Sequence, residues 1–175
     1  MSESALIAVV PEAEPWVGDL RHRYDPVALM GLPAHITILW PFIPPEQIDT
    51  SDLRALEGVF HLAEPFDFTL REVRRFPQTT YLAPAPARPF VELTERVAAT
   101  FPAYPPYGGL FPEIIPHLTV ADRNLAHATE AESELADIMA KLGPVFASCR
   151  QVELYENTTG LWGHAATFML GGGIA

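Results

Sequence analysis

The sequence predicts an α+β fold made from a duplicated unit, with two antiparallel sheets around a central cleft and helices on the outside. Three observations lead there. A pattern of His, aliphatic, Thr, aliphatic occurs twice, at His35-Ile36-Thr37-Ile38 and at His117-Leu118-Thr119-Val120. Apolar periodicity alternates between strand-like and helix-like in the same order around each copy. The step from the motif histidine to the strand beyond the next helix is also nearly equal in the two halves, His35 to Phe66 and His117 to Phe146. With ordinary residue usage, two chance matches in a chain of this length have odds of roughly one in ten thousand.

Taken in order, the apolar run from residue 5 to residue 10 predicts a buried first strand. Residues 14–29 read as a proline-interrupted helix, and residues 34–40 as the first His-Thr strand. A helix is expected over 51–62, with Leu53, Leu56 and Phe60 on one face and Thr50 or Ser51 as its cap. Phe66, Phe68 and Leu70 alternate with polar residues as the next strand, and Thr79 to Ala83 forms another. Pro89 suits the first turn of a helix ending at Phe101, with Phe90, Leu93 and Val97 facing the core.

The second His-Thr strand spans about 116–121. A helix over 128–142 follows, acidic in its first turns as the helix dipole favours and stopped by Gly143-Pro144. Strands over 145–155 and 161–170 close the chain around the turn Asn157-Thr158-Thr159-Gly160. The expectation is one domain over residues 1–175, with 171–175 as a flexible glycine-rich tail.

Composition narrows the partners. The 175 residues carry a net charge of −11, with 11 basic residues against 22 acidic ones. Binding to long duplex nucleic acid draws on phosphate neutralisation by Lys and Arg, which this chain lacks overall. Arg71, Arg74 and Arg75 form the one local basic cluster, read either as a solvated strand face or as the place where an anion is drawn in. Cys149 is the only cysteine, so no internal disulfide or zinc site of clustered thiolates forms, and a reducing cytoplasm is the simple reading. Of its two readings, nucleophile or small core residue, its alternating strand favours the second. The first apolar run is far too short to span a bilayer and no basic residue precedes it, so no secretion signal, transmembrane helix or membrane partner is expected. With the lone cysteine, the expected location is the cytoplasm.

On a strand, side chains two apart share a face. Each motif therefore presents an imidazole and a hydroxyl on one side and buries two aliphatics on the other. Histidine moves protons near neutral pH, and in phosphoryl transfer the attacking and leaving oxygens lie roughly in line. Two imidazoles from separate strands meet that need, and the threonine hydroxyls can donate to the non-bridging oxygens without a metal. A metal site is disfavoured because no second His or carboxylate joins either histidine at ligand spacing; Glu113 and Asp122 are the nearest carboxylates. His22, His61, His127 and His164 lack a threonine partner and read as bystanders, although His164 lies in an alternating strand. The loop from Pro102 to Pro112 is stiffened by prolines, and its aromatics either stack on a base or plug the core edge.

Pro33-Ala34-His35-Ile36-Thr37-Ile38-Leu39-Trp40-Pro41-Phe42, together with Tyr104-Pro105-Pro106-Tyr107-Gly108-Gly109 leading to Pro116-His117-Leu118-Thr119-Val120-Ala121, resembles the paired motifs of the 2H phosphoesterase superfamily. The nearest likeness is to its 2′-5′ RNA ligase-like, or cyclic phosphodiesterase, group. That resemblance implies a bilobal α+β fold with pseudo-twofold symmetry and no metal or other cofactor. It makes His35 and His117 the catalytic pair and Thr37 and Thr119 the phosphate-holding residues.

The activity it implies is opening of 2′,3′-cyclic phosphates of nucleotides or RNA ends to 2′-phosphates. The alternatives are a 2′-5′ RNA ligase-type reaction or a non-catalytic module binding a nucleotide or RNA end. Trp40, Phe42, Tyr81 and Tyr107 are candidates to flank a base, and Arg123 is a candidate to reach a phosphate or cap the surface. The expected partner is a small nucleotide or RNA end carrying a cyclic phosphate, and the expected state is a monomer.

Overall fold

A computed structural model describes residues 1–171. The expected tail, apart from Gly171, lies outside the described residues. The chain runs Ser4–Val9 (β1), Glu14–Tyr24 (α1), Pro26–Leu29 (α2), His35–Leu39 (β2), Thr50–His61 (α3), Phe66–Phe76 (β3) and Thr79–Ala85 (β4). It continues with Arg88–Thr100 (α4), Leu118–Ala121 (β5), Leu125–Leu142 (α5), Val145–Cys149 (β6), Gln151–Glu156 (β7) and Gly163–Met169 (β8). Each element of the sequence reading is present, with shifts of up to three residues at several ends (α5 begins at Leu125 and β5 at Leu118) and two larger changes of extent. Strand β3 runs on to Phe76, and the segment 145–155 is split at Arg150 into β6 and β7.

The strands do not form two sheets. They form a single curled antiparallel sheet of eight, in the order β6-β3-β4-β5-β2-β1-β7-β8. Its two halves meet where β2 and β5 pair, at the one register pair Ile36↔Leu118. The order is a palindrome in kind. On either side of the join stands a motif strand (β2 or β5), then the strand that opens its unit (β1 or β4), then a strand that follows a motif-bearing unit (β7 or β3). Because β3 joins the half that holds the second motif, and β7 the half that holds the first, the two sequence halves are interlaced. Short motif strands leave few pairing positions, so the join is narrow and both halves share one sheet instead of closing separately.

The four longer helices cover one face of this sheet. Val17 and Leu20 of α1, Leu56 and Phe60 of α3, Phe90, Leu93 and Val97 of α4 and Leu135 of α5 pack with Leu6, Ile36, Ile38, Leu82, Leu118 and Val120 into one core. The motif aliphatics are fully buried there, Ile36 and Leu118 at 0 % exposure. The opposite face carries the motif histidines and threonines, together with a small apolar cluster in which Leu32 and Trp162 cover Ala5 and Ile7. Among the described residues no helix is long and apolar enough to cross a membrane.

The α3 cap differs from expectation. Asp49, not Thr50 or Ser51, accepts from the backbone N–H groups of Ser51 and Asp52 (2.7 and 3.0 Å). The Asp52 carboxylate accepts in return from the Asp49 N–H at 3.0 Å, which completes a capping box. A carboxylate in this position also meets the positive end of the helix dipole, an advantage a hydroxyl lacks. Asp49→Ala is expected to lower unfolding free energy by about 1 kcal/mol in urea titrations, and Ser51→Ala by less than about 0.5 kcal/mol. Equal losses would return the cap to the hydroxyl residues.

Candidate active site

The Ile36↔Leu118 pair dictates the site. In an antiparallel ladder the flanking positions oppose one another, so His35 lies opposite Thr119 and Thr37 opposite His117. Opposed Cβ atoms on neighbouring strands stand about 4.5–5.5 Å apart. The result is a quartet on one face with the two imidazoles on one diagonal and the two hydroxyls on the other. The imidazoles are close enough for the charge of His117 to act on His35.

Both rings are held in the same way. His35 Nδ1 lies 2.7 Å from the carbonyl of Pro33, and His117 Nδ1 lies 2.7 Å from the carbonyl of Ile115. A carbonyl can only accept, so each Nδ1 carries the proton and donates it. That fixes the tautomer and leaves both Nε2 atoms free to take a proton when neutral or to give one when charged. Each ring is thus anchored by the backbone two residues before it, a local duplication that matches the one in sequence.

Their electrostatic settings differ. Burial pushes His35 down to about 4, and the nearby Arg21 guanidinium pushes in the same direction. Arg21 is itself buried (3 % exposed) and is bound to Asp25 at 2.9 Å and to the Leu32 carbonyl at 3.1 Å. It therefore ties helix α1 to the segment that leads into His35 while placing a cation beneath the site. Burial also lowers His117, but its hydrogen bond to Ile115 and the Asp122 carboxylate oppose the shift. Asp122 is fixed by a 2.7 Å bond from the Thr79 hydroxyl.

Aromatic side chains wall the His117 side. Phe76 and Tyr81 meet the His117 ring edge-on, at centroid distances of 5.3 and 5.4 Å. Tyr107 stacks on it at 6.3 Å and 22°. Tyr107 adopts a left-handed backbone (φ 51°), uncommon for a residue with a side chain, and its N–H is bonded to the Trp40 carbonyl at 2.7 Å. Burial pushes its phenol up to about 12, offset in part by the Thr37 hydroxyl. The proline-rich loop thereby spans both motifs: its ring lies on His117 and its hydroxyl by Thr37.

Among the sequence candidates, His35, Thr37, His117, Thr119, Tyr81 and Tyr107 come together. Trp40 is half-buried beside Tyr107, edge-on at 6.4 Å. Phe42 does not line the site. It is 3 % exposed in the helix-side core, edge-on to Phe101 and Tyr104. It sits beyond the end of β2, past the bend at Pro41, so strand alternation no longer governs where its ring points. Arg123 is largely exposed and is paired with Asp122 at 3.4 Å.

His164 shares the motif face but stands on edge strand β8, three strands out from β2, and contacts Thr167 Oγ1 at 2.7 Å. Cys149 is buried with its thiol pushed up to about 12, as suits a core residue. Among the described residues no three His, Cys, Asp or Glu side chains converge as a metal-binding group. Sequence reasoning missed Arg21 and Phe76, and it weighed Asp122 only as a metal ligand, not as a charge acting on His117. The i,i+4 spacing of Arg21 and Asp25 was the one signal available, and it does not reveal that the pair is buried.

The model of the 2′-5′ RNA ligase superfamily matches residues 9–160. The chain belongs to this superfamily. Solved structures with the same fold include E. coli LigT complexed with 3′-AMP (TM-score 0.65, 14 % identity, 97 % of this chain and 98 % of that one). A phosphoesterase matches at TM-score 0.62 and 14 % identity, over 98 % and 99 % of the two chains. TT0787 of Thermus thermophilus matches at 0.58 and 16 %, over 98 % and 100 %. No curated protein matches the sequence. Both His-Thr motifs lie within the matched span.

Because the folded protein disfavours protons on both imidazoles while the unfolded chain binds them near pH 6.5, stability is lost as pH falls through that value toward about 4. His35→Gln removes the larger contribution. The wild type is expected to lose on the order of 2 kcal/mol more than this variant between pH 7 and pH 4.5 in urea midpoints. Parallel curves would show that His35 is not held neutral by the fold.

Proposed function

We propose that the protein is a phosphodiesterase that opens 2′,3′-cyclic phosphates to 2′-phosphates by two-histidine acid–base catalysis. The observation that carries this reading is the diagonal quartet, with two imidazoles whose free Nε2 atoms share one face and a hydroxyl beside each. Water attacks phosphorus and yields its proton to one Nε2. The bond from phosphorus to the ribose 3′ oxygen breaks as the other Nε2 protonates that oxygen, and a 2′-phosphate monoester remains. Thr37 and Thr119 donate to the non-bridging oxygens, where charge shifts at the transition state. The acidic chain suits a small nucleotide or a terminal phosphate better than a long duplex.

The ligase-type reaction is the same ring-opening step with an RNA 5′ hydroxyl in place of water, and it leaves a 2′-5′ phosphodiester as the ribose 3′ oxygen departs protonated. A binding module needs no pair of proton carriers, so the intact quartet favours catalysis over binding alone. A screen of 2′,3′-cyclic nucleotides with separation of 2′- and 3′-monophosphate products tests the proposal. A 2′-phosphate product is expected from the wild type. His35→Ala and His117→Ala are each expected to lower kcat at least about 1,000-fold with circular dichroism unchanged. Thr37→Val or Thr119→Val should cost about 100-fold, on the scale of one oxyanion donor. Activity should survive a chelator, since the quartet offers a phosphate donors and proton carriers. Near-wild-type rates in both histidine variants, or tight binding without product, would end the enzymatic reading.

The pH dependence carries its own signature. One imidazole must be neutral and the other charged, and kcat/KM reports the free protein. With both groups displaced downward, the profile is expected to be a bell whose acid limb lies near pH 4 and whose alkaline limb lies below pH 6.5. An alkaline limb above about pH 7.5 would contradict the downward displacement of His117.

A further inference from the structure

The palindromic strand order gives each position on the motif face a counterpart in the other half of the sheet, and at one such pair the charges are opposite. Thr119 of β5 pairs with Tyr81 of β4, and Tyr81 pairs with Arg74 of β3. In the other half, Thr37 of β2 pairs with Ile7 of β1, and Ile7 pairs with Glu153 of β7. Arg74 and Glu153 are therefore equivalent, each two strands outward from a motif threonine on the motif face. Two strand spacings amount to about 10 Å, a span that one nucleotide together with an arginine's reach can cover.

Arg74 is not alone. The β3–β4 register slips between Leu70 and Glu72, leaving Arg71 as an extra residue without a partner in the ladder. Such bulges re-aim a side chain beside active sites. Here the bulge brings Arg71 to the same groove as Glu72 and Arg74. This groove, of about 320 Å³, is also lined by Ile115 and Pro116, the two residues that lead into His117.

Arg71 has no ion pair or side-chain hydrogen bond among the described residues, whereas Arg75 is held by Glu132 at 2.8 Å and by the Pro77 carbonyl at 3.0 Å. Arg74 is paired with Glu72 in an exposed contact of the kind worth little in water. A stronger anion can displace such a partner. With Glu72 counted, the groove carries a net formal charge of +1 in a chain whose net charge is −11, and its unpaired cation among the described residues is Arg71.

We infer that the Arg71–Arg74 groove is a subsite for a second phosphate, the one on the 5′ side of the nucleoside that bears the reacting phosphate. The substrate then extends from the histidine pair over β4 and β3, away from Glu153. Its class is a nucleotide end with a 5′ phosphate or phosphodiester, such as the last residue of an RNA, in preference to a simple nucleoside cyclic phosphate. This assignment rests on the proposed reaction for its orientation, but its binding can be measured without turnover.

Two probes test it. Titration calorimetry with adenosine 2′-monophosphate and adenosine 2′,5′-bisphosphate compares one phosphate with two, and turnover of adenosine 2′,3′-cyclic phosphate with and without a 5′ phosphate gives the kinetic counterpart. The wild type is expected to favour the 5′-phosphorylated compound at least about tenfold in each comparison, with the preference shrinking as salt rises. The exposed double variant Arg71→Ala/Arg74→Ala should lose that preference and leave affinity and kcat/KM for the singly phosphorylated compounds unchanged. Glu153→Gln should retain it.

Equal handling of the two compounds by the wild type would overturn the subsite, as would a double variant that weakens both compounds equally or loss of the preference in Glu153→Gln. A preference in binding that disappears in the double variant, together with no turnover of either cyclic compound, would uphold the groove and reject the proposed reaction.

Discussion

One strand pair holds the candidate site together. Ile36 and Leu118 lie opposite each other where two halves of a curled sheet touch, both fully buried beneath the helices. Everything reactive sits one residue to either side of them on the other face. A slip of one residue at this join would turn the motif histidines into the core and the aliphatics into the site. The packing that buries Ile36, Ile38, Leu118 and Val120 is therefore the same constraint that keeps both imidazoles and both hydroxyls on one surface, and fold stability and site geometry are not separable here.

Around that join the protein places unlike surroundings on like groups. Both imidazoles are tied by Nδ1 to a carbonyl two residues earlier. Beneath His35 lies the buried Arg21–Asp25 pair, whose cation disfavours a second positive charge. Beside His117 lies Asp122, whose carboxylate favours one. Burying Arg21 is tolerable only because Asp25 and the Leu32 carbonyl satisfy it, and Asp25 itself stays raised by burial, an effect that Arg21 offsets only in part. Symmetry of fold thus coexists with asymmetry of charge, which suits the proposed division of roles between one proton acceptor and one proton donor.

Much of this was legible in the sequence, because the informative signals were local and repeated. His-x-Thr on a strand fixes which side chains share a face, and duplication lifts the pattern above chance. Helix and strand order followed from apolar period for the same reason. What failed depended on partners distant in sequence. Alternating apolar patterns cannot tell whether two motif strands face each other across separate sheets or lie side by side in one, since both arrangements bury the same residues. Phe42 reads as a cleft aromatic because it follows the motif, but the chain has left the strand by then. The Asp49 cap is masked by the two hydroxyl residues next to it, although its partner Asp52 is in view. Arg71, Arg74 and Arg75 are visible as a cluster, but a bulge and a salt bridge to Glu132 separate their fates, and neither is written in the spacing.

A duplicated fold begins with two equivalent surfaces, and a substrate with a direction must be told which way to lie. The reacting group cannot supply that instruction, because a quartet of two histidines and two threonines on crossed diagonals looks nearly the same after a half turn. Direction has to come from positions farther out, where the duplication leaves the residue free to vary. The first such charged positions are Arg74 on one side and Glu153 on the other, two strands from the centre. An anionic chain entering between them meets attraction on one side and repulsion on the other, so the pair would orient it before it reaches the imidazoles. At these distances from exposed groups the interaction is screened by salt, so its effect belongs to binding and selection and is separate from the proton transfers proposed for the histidine pair.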